Sequence, residues 1–201
     1  MAGSRGRGRP RTIDRGVAVD TAMRAWWTDG PASVSLNAIS RQTGLSKSSL
    51  YREFGGEDGL MVAALQRYRE VSVLPLLALL QHPLSPPEIL ALLVKGTTAE
   101  RGLPAGCFFT QLRLCPDALG DATRSLVAQM AAERRAAFAG WLATVEAQGL
   151  LSMPVPDAAR YLDAQLTLIL VRLKAGDPAD DIRADARRAL GAVSYTHLRA
   201  H

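Results

Sequence analysis

Apolar positions recur at three- and four-residue spacing along nearly the whole chain, and no stretch alternates apolar with polar as a half-buried strand does. The pattern predicts an all-α fold. Val19, Ala22, Met23 and Trp26 form the stripe of a first helix that Gly30 ends. Ser35 can N-cap a second helix reaching Thr43, Gly44 supplies the positive φ of a tight turn, and Ser46 can cap a third helix reaching Phe54. Residues 58–80 read as one long helix, with Pro75 placed to kink or end it. Ser85-Pro-Pro-Glu88 combines a capping box with a proline at the first helical position, which predicts a helix to about Thr98. A short apolar helix follows over 107–114, then a long amphipathic one over 121–148 with Gly149 as its C-terminal cap. Asp157 and Asp177-Pro178 are read as opening two last helices, over 158–175 and 178–193.

The second and third helices are short and joined by a glycine turn, the sequence form of a helix-turn-helix. If Leu36 and Ile39 pack against Leu50 and Phe54, then Lys47, Ser48, Tyr51 and Arg52 point outward. A cation, a hydroxyl, a phenol and a guanidinium on one face suit phosphates and base edges. Trp26 is expected in the core beneath the first helix, and Trp27 partly exposed.

These residues carry a resemblance to the DNA-binding domain of the TetR family of bacterial transcriptional regulators, over about residues 11–71. Ser35-Leu-x-x-Ile-Ser-x-x-Thr-Gly-Leu-Ser-Lys-x-x-Leu-Tyr-x-x-Phe is similar to the family's central pattern, and Gly59-Leu60 resembles the start of its linking fourth helix. Ser40 and Thr43 depart from the family's usual alanines, and Glu57 stands where a lysine often meets phosphate. The resemblance implies a three-helix reader at 13–57 followed by a helical bundle at 58–193 for ligand binding and dimerisation. It implies phosphate contacts for Lys47 and Tyr51 and base contacts for Ser48, Ser49 and Arg52, with Ser35 and Ser46 at the helix starts facing DNA.

Charge agrees with a polyanion partner met at one end. Residues 1–54 hold nine Lys/Arg against four Asp/Glu, a surplus of five that equals the net charge of the whole 201-residue chain. Residues 1–12 read as a basic arm, and Arg7-Gly-Arg-Pro-Arg11 resembles the core of minor-groove AT-hook peptides, which makes Arg7, Arg9 and Arg11 candidate DNA contacts. The alternative for this arm is a solvated tail. Residues 194–201 break with the Ala/Arg/Asp pattern before them and read as a non-native tail.

No apolar segment follows the early arginines and none approaches the ~20 residues a membrane helix needs, so a cytoplasmic protein without a membrane partner is expected. Two cysteines give no disulfide framework, and three scattered histidines give neither a metal site nor a catalytic constellation. No cofactor is expected.

The helix over 158–175 is apolar on most sides, with Tyr161, Leu162, Leu166, Leu168, Ile169, Leu170, Val171 and Leu173, more than one small bundle hides. A homodimer through the last two helices is expected, with two readers set on a palindromic operator of half-site spacing near one turn, roughly 34 Å. Cys107, Phe108, Phe109, Leu112, Met130, Phe138, Trp141 and Leu142, with Gln111, Arg113 and Gln129 as polar anchors, are the candidate lining of a site for a small hydrophobic effector. The expected function is a dimeric repressor released from DNA by that ligand. A constitutive or architectural DNA binder is the alternative, and a helical enzyme the alternative from another class.

Overall fold

The computed structural model describes residues 14–99 and 102–193, and all their regular elements are helical. In chain order these are α1 (Arg15–Asp29), α2 (Leu36–Thr43), α3 (Lys47–Phe54), α4 (Glu57–Tyr68), α5 (Leu74–Ala78), α6 (Pro86–Thr98), α7 (Phe108–Leu114), α8 (Asp121–Ala147), α9 (Val155–Ala175) and α10 (Ala179–Gly191). The arm over 1–12 and the tail over 194–201, with Arg7, Arg9 and Arg11, lie outside the described residues.

The reader comprises α1 to α3. Asp14 caps α1, its carboxylate accepting from Val17 N at 3.1 Å, and the buried Trp26 indole donates to Val34 O at 3.0 Å, which ties the connecting loop beneath the helix. Gly44 sits at φ 67°, in the left-handed region that lets α2 stop and α3 start three residues later. The Ser40 and Thr43 hydroxyls both bond at this turn. Ser40 donates to Leu45 O at 2.5 Å and Thr43 to Ile39 O at 2.9 Å, and Leu45 N donates back to Thr43 at 3.3 Å. Polar side chains at this crossing therefore satisfy backbone groups that the turn frees from the helix ladder.

The long helix expected over 58–80 is continuous but not uniform. α4 passes through a π-helical turn, Arg69–Val73, into α5, and a 3₁₀ turn, Leu79–Gln81, ends it. Pro75 lies in the first turn of α5; its ring would meet the carbonyl four residues back, and the wider turn before it relieves that clash. α6 starts as expected, with both halves of the Ser85/Glu88 capping box formed. α9 starts three residues earlier than expected. Pro154 stands at its N-cap and Asp157 lies inside the first turn, where its charge meets the positive end of the helix.

Two apolar clusters hold the molecule. The first runs without a break from α1, α2 and α3 through Leu60 and Leu65 of α4 into Phe108, Leu112, Val127 and Met130. The second joins α6, the C-terminal half of α8, α9 and α10 around Phe138, Leu142, Leu162 and Ile182. The reader thus shares its core with α7 and the start of α8, so the core is not divided at residue 57.

Candidate nucleic-acid interface and internal cavity

On α3, Leu50 and Phe54 are buried with Leu36 and Ile39, and Lys47, Ser48, Tyr51 and Arg52 are exposed. Tyr51 is 49% exposed, high for a side chain of its apolar area, and Lys47 Nζ lies 5.9 Å from the centre of its ring. Arg52 makes no ion pair with another described residue, so its guanidinium donors are open to solvent. The neighbouring acid is neutralised internally: Glu53 accepts from Arg15 at 2.8 Å, and that guanidinium also lies over the Phe54 ring at 4.8 Å. Ser46 caps α3 by accepting from Ser49 N at 3.1 Å, with the Ser48 and Ser49 hydroxyls at 2.9 and 2.8 Å from its oxygen. Ser35 does the same for α2, accepting from Ala38 N at 3.4 Å. Exposed serine caps at two helix N-termini and exposed cations on α3 are groups that attract anions. Glu57 is exposed in the first turn of α4 and makes no ion pair with another described residue.

A cavity of about 630 Å³ lies where the reader meets the bundle. Its walls come from Trp27 of α1, Tyr68 of α4, Val73 and Leu76 around the π-helical turn, Thr97 of α6, Cys107 at the start of α7, Arg134 of α8 and Leu170 of α9. Trp27, expected partly exposed, is 3% exposed, because its indole packs edge-on to Tyr68 at 4.9 Å between ring centres. Burial pushes the Tyr68 hydroxyl well above the ordinary phenol range, the neighbouring Cys107 thiol reinforcing it. Arg134 is buried beside Asp163 at 2.6 Å; burial lowers the pKa of the guanidinium and Asp163 opposes that shift.

Of the residues expected to line an effector site, Cys107 and Phe109 are on this cavity. The others are elsewhere. Phe108 and Met130 lie in the first apolar cluster, and Phe138 and Trp141 in the second. Gln111 turns toward the reader and donates to Trp27 O at 3.0 Å. A large aromatic on an amphipathic helix has the same sequence signal whether it fills a core or borders a void, so periodicity does not separate the two. Trp27, Tyr68 and Arg134 were missed for a related reason: each lies on a helix whose partner face is fixed only by the tertiary packing. Lys174 was missed too; its Nζ donates to Trp27 O at 2.9 Å and Thr28 O at 2.7 Å, at the carbonyl end of α1.

Residues 18–64 match the domain described as "Bacterial regulatory proteins, tetR family". Over 62 residues the chain is 42% identical to the HTH-type transcriptional repressor ComR of Escherichia coli (strain K12), a match covering 31% of this chain and 30% of that repressor. Among solved structures, a cysteine mutant of the TetR family transcriptional regulator CifR, complexed with 26-base-pair double-strand operator DNA, is 25% identical with a TM-score of 0.81. That likeness covers 92% of this chain and all of the other (100%). The reduced form of NemR from E. coli shares the fold at 18% identity, TM-score 0.76, over 90% of this chain and 96% of its own.

Proposed function

Because this chain belongs to the TetR family of DNA-binding transcriptional regulators, we propose that it is a dimeric repressor released from a palindromic operator by a small apolar ligand. The observation that carries the reading is the exposed set on α3, Lys47, Ser48, Tyr51 and Arg52, beside the capped start of α2. In this reading Lys47 and Tyr51 hold phosphates, and the amides at Ser35 and Ser46 add to that grip. Ser48, Ser49 and Arg52 read base edges, with Arg52 able to grip guanine O6 and N7 together. Arg7, Arg9 and Arg11 of the arm would follow the minor groove.

Dimerisation is supported by apolar side chains left in solvent on α9. Leu168 is 50% and Val171 37% exposed, and the second core on the opposite side of this helix does not need them. A second copy covers such a stripe if α9 meets α9 across a two-fold axis, with the charged outer face of α10 at the rim. The ligand site is the cavity at Trp27, Tyr68 and Leu170, whose volume suits a drug-sized molecule. A repressor of this kind works in the cytoplasm, beside the chromosome.

Selection of fragments bound from random DNA tests the reading. It predicts one near-palindrome whose half-site centres lie about one helical turn, roughly 34 Å, apart. Recovery of unrelated sequences with no shared half-site would contradict it. A thermal-shift screen tests the effector: a ligand at 100 times its Kd should add about 2.7 kcal/mol.

A further inference from the structure

We propose that Lys174, with Gln111 beside it, is a positioning residue for DNA binding: it fixes how the reader sits on the bundle and thereby sets the separation of the two recognition helices in the dimer. The inference rests on the dimeric reading above and adds to it the residues that decide operator spacing.

The end of α1 is finished by side chains from other helices. α1 has no cation in its own last turn, and Pro31 stands where the next backbone donor to Trp27 O would be but has no N–H to give. Trp27 O accepts instead from Gln111 Nε2 of α7 at 3.0 Å and from Lys174 Nζ of α9 at 2.9 Å, and Lys174 also donates to Thr28 O at 2.7 Å. An ammonium at the carbonyl end of a helix is held by the helix dipole as well as by these bonds. The reader's first helix is thus capped from the bundle.

These bonds give direction to a junction that is otherwise apolar. The reader shares one continuous core with α7 and the start of α8, and apolar contact is non-directional, so it resists separation better than it resists a small slide. Hydrogen bonds weaken steeply with distance and angle, and they fix the seating. At the reader's other junction, the first turn of α4, Asp58 accepts from the Ala122 and Thr123 amides. Polar fastenings at the end of α1 and the start of α4 together restrain a body that either one alone would leave free to pivot. Lys174 also stands on the helix that the dimeric reading places at the two-fold axis, since α9 carries the exposed Leu168 and Val171. One helix therefore meets the second copy and holds α1, so the geometry at Lys174 passes directly to the distance between the two readers.

The test measures, by fluorescence anisotropy, binding of the full chain to the selected palindrome, to a single half-site, and to palindromes whose spacer is lengthened or shortened by about two base pairs. The unaltered protein should bind the selected spacing best. Lys174→Met should bind the selected palindrome about tenfold more weakly, because only a fraction of its dimers holds the readers at the right separation. It should bind the single half-site as before and lose most of the penalty for altered spacers. Gln111→Leu removes the other donor to Trp27 O and should show the same pattern to a smaller degree; it carries the test alone if urea unfolding shows that Lys174→Met does not fold. An equal loss on palindrome and half-site, or a spacing preference as sharp in the folded variants as in the unaltered protein, overturns the proposal. An unaltered protein that binds palindrome and half-site alike overturns the dimeric reading, and this inference with it, so the two failures are distinct.

Discussion

Asp58 caps a helix that starts more than sixty residues away: its Oδ1 accepts from the Thr123 hydroxyl at 2.5 Å and the Thr123 amide at 3.0 Å, and its Oδ2 from Ala122 N at 3.0 Å. α8 has no side-chain cap of its own, since Gly120 stands at its N-cap. Asp58 lies in the first turn of α4, directly after the reader, so this cap is also a fastening between the reader and the bundle. A Cβ at Gly120 would overlap the Asp58 carboxylate, which explains the glycine by close approach. Asp58→Ala should lower stability by about 1–2 kcal/mol in urea unfolding, and Gly120→Ala should lower it too by forcing the carboxylate away.

The same contact gives a pH dependence. Partial burial pushes the Asp58 carboxyl up, but the Thr123 hydroxyl, the Thr123 and Ala122 amides and Arg124 outweigh that and hold it below its ordinary value. A carboxyl with a lowered native pKa stabilises the fold fully above the unfolded value of ~3.9, and the contribution is lost as pH falls through the lowered native value. Unfolding free energy measured from pH 6 down to pH 2 should therefore fall more steeply for the unaltered protein than for Asp58→Asn. Parallel profiles would show that the cap contributes no linkage.

Much of the fold was legible because its signals are local. Ser35, Gly44, Ser46 and the Ser85/Glu88 box fix helix ends through groups a few residues apart, and each lies where the sequence places it. What was not legible depends on distant partners. Nothing in the sequence near Asp58 says that its acceptors will serve α8, and nothing near Trp27 says that α4 and α7 will close over it. The start of α9 was misplaced because Asp157 is equally suited to the N-cap and to the first turn. On α3 the short spacing is enough to separate inward Leu50 and Phe54 from outward Lys47, Tyr51 and Arg52. The cavity lining is a property of helix packing, so only Cys107 and Phe109 of the expected set reach it.

Asp163 is buried between two arginines, Arg134 at 2.6 Å and Arg113 at 3.5 Å, with both guanidinium groups also over the Phe109 ring. Asp163→Ala should cost about 3–5 kcal/mol, because it leaves Arg134 buried without a counter-charge. The double variant Asp163→Leu with Arg134→Met should regain most of that loss. Thermal unfolding of the two variants checks both directions, and a double variant no better than the single one would locate the effect in packing instead.

Lys47 and Arg52 should separate affinity from specificity. Lys47→Ala should weaken binding to operator and to scrambled duplex by similar factors, since a phosphate contact carries no sequence information. Arg52→Ala should cost about 1–3 kcal/mol on the operator and much less on scrambled DNA. Fluorescence anisotropy with both duplexes distinguishes them, and equal loss of preference in the two variants would refute the roles assigned here.

The most direct test of the α3 face as a DNA reader is the salt dependence of binding to the selected palindrome. If two readers together neutralise about six to ten phosphates, log K should fall with log salt at a slope of roughly −5 to −9, and affinity should drop by about a thousandfold or more between 50 and 200 mM. A scrambled duplex should bind far more weakly at every salt concentration. An affinity indifferent to salt, or equal for palindrome and scrambled DNA, would contradict the account.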